Sequence, residues 1–311
     1  MLKLIKKNYK NLISIVILLL SVVVLVQMRS QLSEVKLVKP LLLIPAFILT
    51  SAFLVLNGLM TMILVGSFGL KLGIIESISL SVTNTFGNLV TPFRGGLVSN
   101  AIYLKNKYKF NFSNYVAMMS ATYVVVFWVA SFAGLISCVF IGIVYGLFSW
   151  PIFFVFSMGT IMLGMVMFFS PKVNDTTIPI LNKVSFVINK WNSISKNRKL
   201  IGEIILLNLL NTMLMVGTSY FEFQAIGLSV SIEKLIFLSV FSIYSLFLSI
   251  TPANLGVKEA FAVYSGLAVG IMASNVIMVS LVDRMLNVLI VLSLFLPASY
   301  ILLRRTKTKI S

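Results

Sequence analysis

The chain has 311 residues, of which 59% are hydrophobic and 11% charged, with a formal net charge of +17. A soluble domain of that length needs a far more polar surface, so the composition specifies an integral membrane protein. With no histidine and one cysteine, Cys138, the chain has no internal disulfide, no histidine acid–base chemistry and no ligand set for zinc or copper, and no cofactor is expected.

Apolar runs long enough to cross a bilayer fall at about 12–28, 41–67, 114–146, 150–170, 201–227 and 275–303. The first has a basic flank but no small-residue cleavage site after it, so it reads as a span rather than a cleaved signal. Two zones, 74–104 and 232–270, have a different pattern: an apolar run, a break rich in Pro, Gly and Asn, then a second run of about a dozen residues. A dozen helical residues rise about 18 Å, too little for a hydrocarbon core of about 30 Å. Each zone is therefore expected to be a re-entrant helical hairpin. The predicted fold class is an all-α integral membrane protein with about six transmembrane helices and two re-entrant hairpins.

Charge supports this order. The chain carries 25 Lys and Arg against 8 Asp and Glu. The cations lie in blocks beside the spans: Lys3–Lys10, Lys105–Lys109, Lys172–Lys199 and Arg304–Lys309. With both termini in the cytoplasm, the first hairpin entering from inside and the second from outside, all four blocks fall on the inner face of a cell membrane. Arg29, Lys36 and Lys39 are the exception. The blocks lack interleaved aromatic platforms, so nucleic acid is excluded as a partner.

Under this topology the chain is an inverted repeat with halves of about 1–148 and 149–303. An offset of 160 relates Thr91-Pro92 to Thr251-Pro252, Gly96 to Gly256, Met118 to Met278 and Ser120 to Ser280. Such repeats are the plan of many transporters, with the substrate held between them near the midplane. The loop 171–199 spaces Ile180, Val184, Val187, Ile188 and Trp191 at helical intervals among lysines. It is expected to be an amphipathic helix on the inner leaflet, a solvated linker being the alternative.

The breaks hold the candidate site. Backbone amides at membrane depth need protein or a wet cavity around them. Thr91-Pro92 and Thr251-Pro252 suit an N-cap and first helical position. Arg94 and Lys258 add a positive charge near each tip, and Gly95, Gly96 and Gly256 permit close approach. Helix N-termini with cations make a site for a phosphate-type anion, and the mobile anion in a membrane is a phospholipid or polyprenyl-phosphate headgroup. The plainer reading, turns between short helices, stays open. Asp283 and Arg284 lie within an apolar run, where charges usually face a bundle interior. Glu259 is placed to partner Arg284 or Arg94. Asn84 and Asn88 share a helix face and either line the cavity or join helices. Glu76, Glu203, Glu222 and Glu233 fall near segment ends and read as interfacial. A proton-coupling role for Glu222 is the remote alternative.

"LVTPFRGGLVSNAIYL" and "TPANLGVKEAF" resemble the paired motifs of the lysylphosphatidylglycerol synthase transmembrane family. Pro252-Ala253-Asn254-Leu255-Gly256-Val257-Lys258-Glu259-Ala260 follows the second motif closely. Pro92, Arg94 and Gly96 follow the first, with Leu97 where Glu is usual and Asn100 where Arg is usual. Arg284 matches the basic residue of the last span. The resemblance implies movement of lipid between leaflets. On the reading of the breaks above, headgroup contacts are expected at Arg94, Gly95, Gly96, Asn254, Lys258, Glu259, Asp283 and Arg284, and a cavity lined by Asn84, Asn88, Thr91 and Thr251. No aminoacyl transfer is expected, since relatives carry that activity in a separate soluble domain, and the chain is expected not to be an enzyme. The alternative is a non-catalytic membrane partner of a glycosyltransferase or other envelope enzyme. A homo-oligomer is a further expected partner state.

Overall fold

A computed structural model describes residues 37–168, 182, 185, 188, 189, 191, 192 and 194–307. The first predicted span, at 12–28, lies outside the described residues, as do Ile180, Val184 and Val187 of the loop. Regular structure among the described residues is entirely helical. A 3-10 turn, Pro40–Leu42, leads into α1 (Leu43–Gly66). Then come α2 (Ile74–Val90), α3 (Gly95–Tyr108), α4 (Phe112–Tyr145) and α5 (Trp150–Phe168). They are followed by α6 (Arg198–Ala225), α7 (Ile232–Ile243), α8 (Val257–Ala268) and α9 (Ala273–Lys307). Among the described residues, five helices are long and apolar enough to cross a membrane: α1 with its leading turn, α4, α5, α6 and α9. This is an all-α, multi-pass membrane protein.

The remaining four helices form the two hairpins. In the first, Glu76 at the start of α2 accepts from Tyr103 and Lys107 near the end of α3. Further along, the Asn100 side chain donates to the Leu80 carbonyl, and the Gly96 amide donates to Asn88 Oδ1. Such pairs require antiparallel legs, so the segment returns to the end where it entered. The 17 residues of α2 rise about 25 Å, less than a full crossing. In the second hairpin α7 continues through a 3-10 turn, Tyr244–Leu248. Asn254 donates to the hydroxyl and carbonyl of Ser245, and the Phe241 and Phe261 rings lie 5.5 Å apart.

Two buried clusters show that the hairpins open toward opposite ends of the bundle. Near one end Leu64, Leu104, Phe110, Met167, Leu200 and Leu302 pack together. That joins the open end of the first hairpin to the last turns of α1, α5 and α9. Near the other, Ile141, Ile152, Phe223, Leu235, Val269 and Val276 pack together around the open end of the second hairpin. The first end is the basic one, with Lys71, Lys105, Lys107, Lys109, Arg198, Lys199, Arg304 and Arg305 on its turns and helix ends.

The hairpin tips meet each other. The 3-10 turn Pro92–Arg94 contacts the turn Pro252–Asn254, which also packs on α2. Around the tips the two halves interlock: α2 lies along α9, α7 lies along α4, and α1 lies along α6. The turns share a backbone shape at the 160-residue offset. Phe93 and Arg94 have φ of 53° and 57°, and Ala253 and Asn254 have φ of 52° and 55°. Left-handed backbone at a non-glycine residue costs about 1–2 kcal/mol, so this shape is imposed by surrounding structure.

Two expectations need correction. Each Thr-Pro pair opens only one three-residue 3-10 turn, and neither threonine hydroxyl caps it. Thr91 Oγ1 instead donates back to the Gly87 carbonyl at 2.6 Å, and Thr251 Oγ1 to the Leu255 carbonyl at 2.8 Å. Proline at the first position fixes φ for a turn, but the left-handed pair that follows stops it, and the helices start later, at Gly95 and Val257. The described part of the 171–199 loop is helical, yet it does not lie open to a leaflet. Trp191 and Ile194 are buried in the bundle core, and the Trp191 indole donates to the Val166 carbonyl at 3.0 Å.

Candidate functional site

The tips place Arg94 at a depth where a charge needs a reason. Its guanidinium donates to the Tyr123 hydroxyl and lies 5.1 Å from the Tyr123 ring centroid. Among the described residues it has no carboxylate partner. Tyr123 comes from α4, a helix without a single charged residue. Along α4 its ring sits 6.1 Å from that of Phe127, which stacks on Phe247 at 4.0 Å. Phe93 is 73% exposed and Phe247 66% exposed, and Leu248 and Ile250 are exposed beside them. The site therefore pairs one unneutralised cation with an apolar face open to the side of the bundle. That chemistry suits an anionic headgroup at Arg94 with acyl or prenyl chains against the aromatic face.

Gly95 and Gly96 make the approach feasible by size. A Cβ on Gly95 would stand 2.2 Å from Thr91 Oγ1, and one on Gly96 would stand 1.9 Å from the Asn84 carbonyl oxygen. Neither has a left-handed φ, whereas Gly256 does, at +80°.

The other predicted residues form a second cluster, and most of its charge is already paired. Arg284 is buried, bonds to Glu259 and reaches the Ala253 carbonyl at 3.5 Å. It thereby ties α9 to the second tip. Glu259 also accepts from the Gly256 amide at 2.8 Å. Lys258 pairs with Asp283, which accepts in turn from Asn287 at 3.0 Å. The amides expected to face an anion are thus partly used: Asn88 takes that of Gly96, and Glu259 takes that of Gly256. Buried polar atoms without partners remain near the tips, namely Asn84 Oδ1, Asn254 Oδ1 and Arg284 Nε.

A cavity of about 190 Å³, lined by both apolar and polar side chains, opens beside this cluster, between α1, α6, α7, α8 and α9. Of the predicted residues it receives Lys258 and Asp283. Arg94, Asn84, Asn88, Thr91 and Thr251 do not line it. Its walls add Thr50, Thr218, Glu222, Ser239 and Ser242. Sequence reasoning passed over these hydroxyls and Tyr123, because a lone polar residue in an apolar run carries no periodic signal. It read Glu222 as interfacial from its place near a span end, but the residue is 1% exposed.

A model of the lysylphosphatidylglycerol synthase TM region family matches residues 11–294. The chain belongs to that family. The match runs through both hairpins and the spans α1, α4, α5 and α6, and it sets the protein among membrane proteins of lipid and cell-envelope biology. Searches among curated proteins and solved structures gave no match. In this member of the family, the two tips carry the residues that resemble the family's paired motifs. Among the described residues Arg94 stands at one tip without a carboxylate, and Arg284 braces the other through Ala253 and Glu259.

Proposed function

We propose that the protein moves an anionic or lipid-linked headgroup between leaflets, with no covalent chemistry in the step. The observation that carries this reading is Arg94. A half-buried guanidinium among hydrocarbon spans, with Tyr123 as its hydrogen-bond partner and an exposed apolar face beside it, leaves a positive charge for an anion to satisfy. A phospholipid or polyprenyl-phosphate lipid brings that anion and keeps its tails in the bilayer. The strained tips supply the element that moves, because two hairpins in contact from opposite ends can expose Arg94 to one leaflet at a time. By the positive-inside bias we read the basic end as the cytoplasmic one; with the first span crossing as the sequence suggests, both termini would then lie on that side, in the cell's inner membrane.

Reconstitution tests this. Vesicles containing the protein and a fluorescent anionic phospholipid are expected to exchange it between leaflets well above protein-free vesicles, and R94Q is expected to remove most of the excess. Exchange equal to that of empty vesicles would contradict the reading.

A further inference from the structure

Glu222, on α6, is 1% exposed, and its Oε1 is buried without a hydrogen bond. It lines the cavity together with Lys258 of α8 and Asp283 of α9. Among the described residues no other charged side chain lines the cavity, and the neighbouring Arg284 is paired with Glu259. The α1 and α4 helices contain no charged residue. Glu233 and Lys234, at the start of α7, turn onto Tyr145 of α4, and Lys39, before α1, is exposed. Thr50, Thr218, Ser239, Ser242, Ser280 and Asn287 supply neutral dipoles. The cavity therefore holds two carboxyl groups and one ammonium, and two neighbouring carboxyl groups, one of them the 1% exposed Glu222, do not both ionise against a single cation.

We propose that Glu222 and Asp283 share one exchangeable proton, and that Lys258 pairs with whichever carboxylate is ionised. In the observed state Asp283 holds Lys258 and Glu222 carries the proton. In the alternate state the Glu222 O–H bond breaks, Asp283 gains a proton through cavity water, and the ammonium moves to Glu222. The hydroxyls and the Asn287 amide in the cavity wall give that water partners, and the space is roomy enough for it. Lys258 is the second residue of α8, and its side chain is 39% exposed, so it has room to swing and would carry the second hairpin with it. The proton site stands on this geometry by itself. Its coupling to lipid movement rests on the proposed transport.

Infrared difference spectroscopy of the full chain in liposomes at neutral pH reads the proton count through the deuterium-sensitive band of neutral carboxyl groups. The wild type is expected to show one such group. E222Q and D283N each leave one carboxylate with one ammonium, so both are expected to lose the band. K258M leaves both carboxyls without a cation and is expected to show about twice the wild-type band. Circular dichroism confirms that each variant is folded, and the opposite sign of K258M and E222Q separates proton sharing from misfolding. No band in the wild type, or an unchanged band in E222Q, would overturn the proposal.

Lipid exchange under an imposed pH gradient then tests the coupling. Wild-type exchange is expected to change several-fold with the gradient, whereas E222Q exchange is expected to be flat. Wild-type exchange that ignores the gradient would overturn the coupling while leaving transport intact. The band pattern without any exchange would support the proton site and contradict the transport reading.

Discussion

Gly96 packs so tightly on Asn84 that a Cβ there would lie 1.9 Å from the Asn84 carbonyl oxygen. The contact is with backbone and cannot be relieved by a rotamer change, so G96A must push the legs of the first hairpin apart. Overpacking of this kind costs about 1–3 kcal/mol, and G96A is expected to lower the thermal midpoint in detergent. Gly202 is the control. A Cβ there meets nothing within 4 Å, and G202A in α6 is expected to stabilise by about 0.5–1 kcal/mol.

Arg284 and Glu259 form a pair in which both side chains are largely withdrawn from solvent. R284M leaves Glu259 and the Ala253 carbonyl without their donor. Breaking one side of a buried pair costs about 3–5 kcal/mol. The double variant R284M/E259Q is expected to recover part of that loss, because no buried charge is then left unmatched. Unfolding of the set in one detergent measures the coupling. Equal stability of R284M and wild type would refute it.

Glu76 is the corresponding lock at the open end of the first hairpin. One buried carboxylate accepts from Tyr103, Lys107 and Tyr108 and pairs with Arg305 of α9. E76Q strands Lys107, whose side chain is 8% exposed. The expected loss is about 3–5 kcal/mol, and Y103F, which removes one hydrogen bond to the carboxylate, is expected to cost less, about 1.5–3 kcal/mol. Hydrogen exchange should show faster opening of α3 in E76Q, with α5 unaffected.

At the candidate site, Y123F removes the hydroxyl acceptor from Arg94 but keeps the ring beneath it. Losing one hydrogen bond to a charged group is worth about 1.5–3 kcal/mol, and the released guanidinium is less firmly placed. Reconstituted Y123F is expected to exchange anionic lipid more slowly than wild type and faster than R94Q. Exchange in Y123F slower than in R94Q would mean that the aromatic face, and not the cation, limits the step.

The layout was readable in the sequence because the bilayer sets a length. Second legs of about a dozen residues after a Pro/Gly break are too short to cross, and α3 and α8 have 14 and 12 residues. The 160-residue offset was also readable, from the shared Thr-Pro pairs. The left-handed backbone at Phe93 and Ala253 was not, since neither side chain marks that conformation and the strain is imposed from outside the turn. The partner of Arg94 was hidden for a related reason. Tyr123 lies 29 residues away on another helix, and no local spacing links a hairpin tip to a span. Glu222 was misplaced because nearness to a span end resembles exposure until the packing of α1, α7 and α9 is known.

The meeting of two partial crossings inside the bilayer is the claim on which the site depends, and cross-linking tests it most directly. In a C138S background, F93C and A253C remain as the cysteines, one at each tip. In native membranes a short bifunctional thiol reagent that enters the bilayer is expected to join them within one chain, while a bulky membrane-impermeant maleimide added from either side alone labels neither fully. Absence of the intramolecular link, with F93C and A253C fully labelled from opposite aqueous faces, would contradict the account.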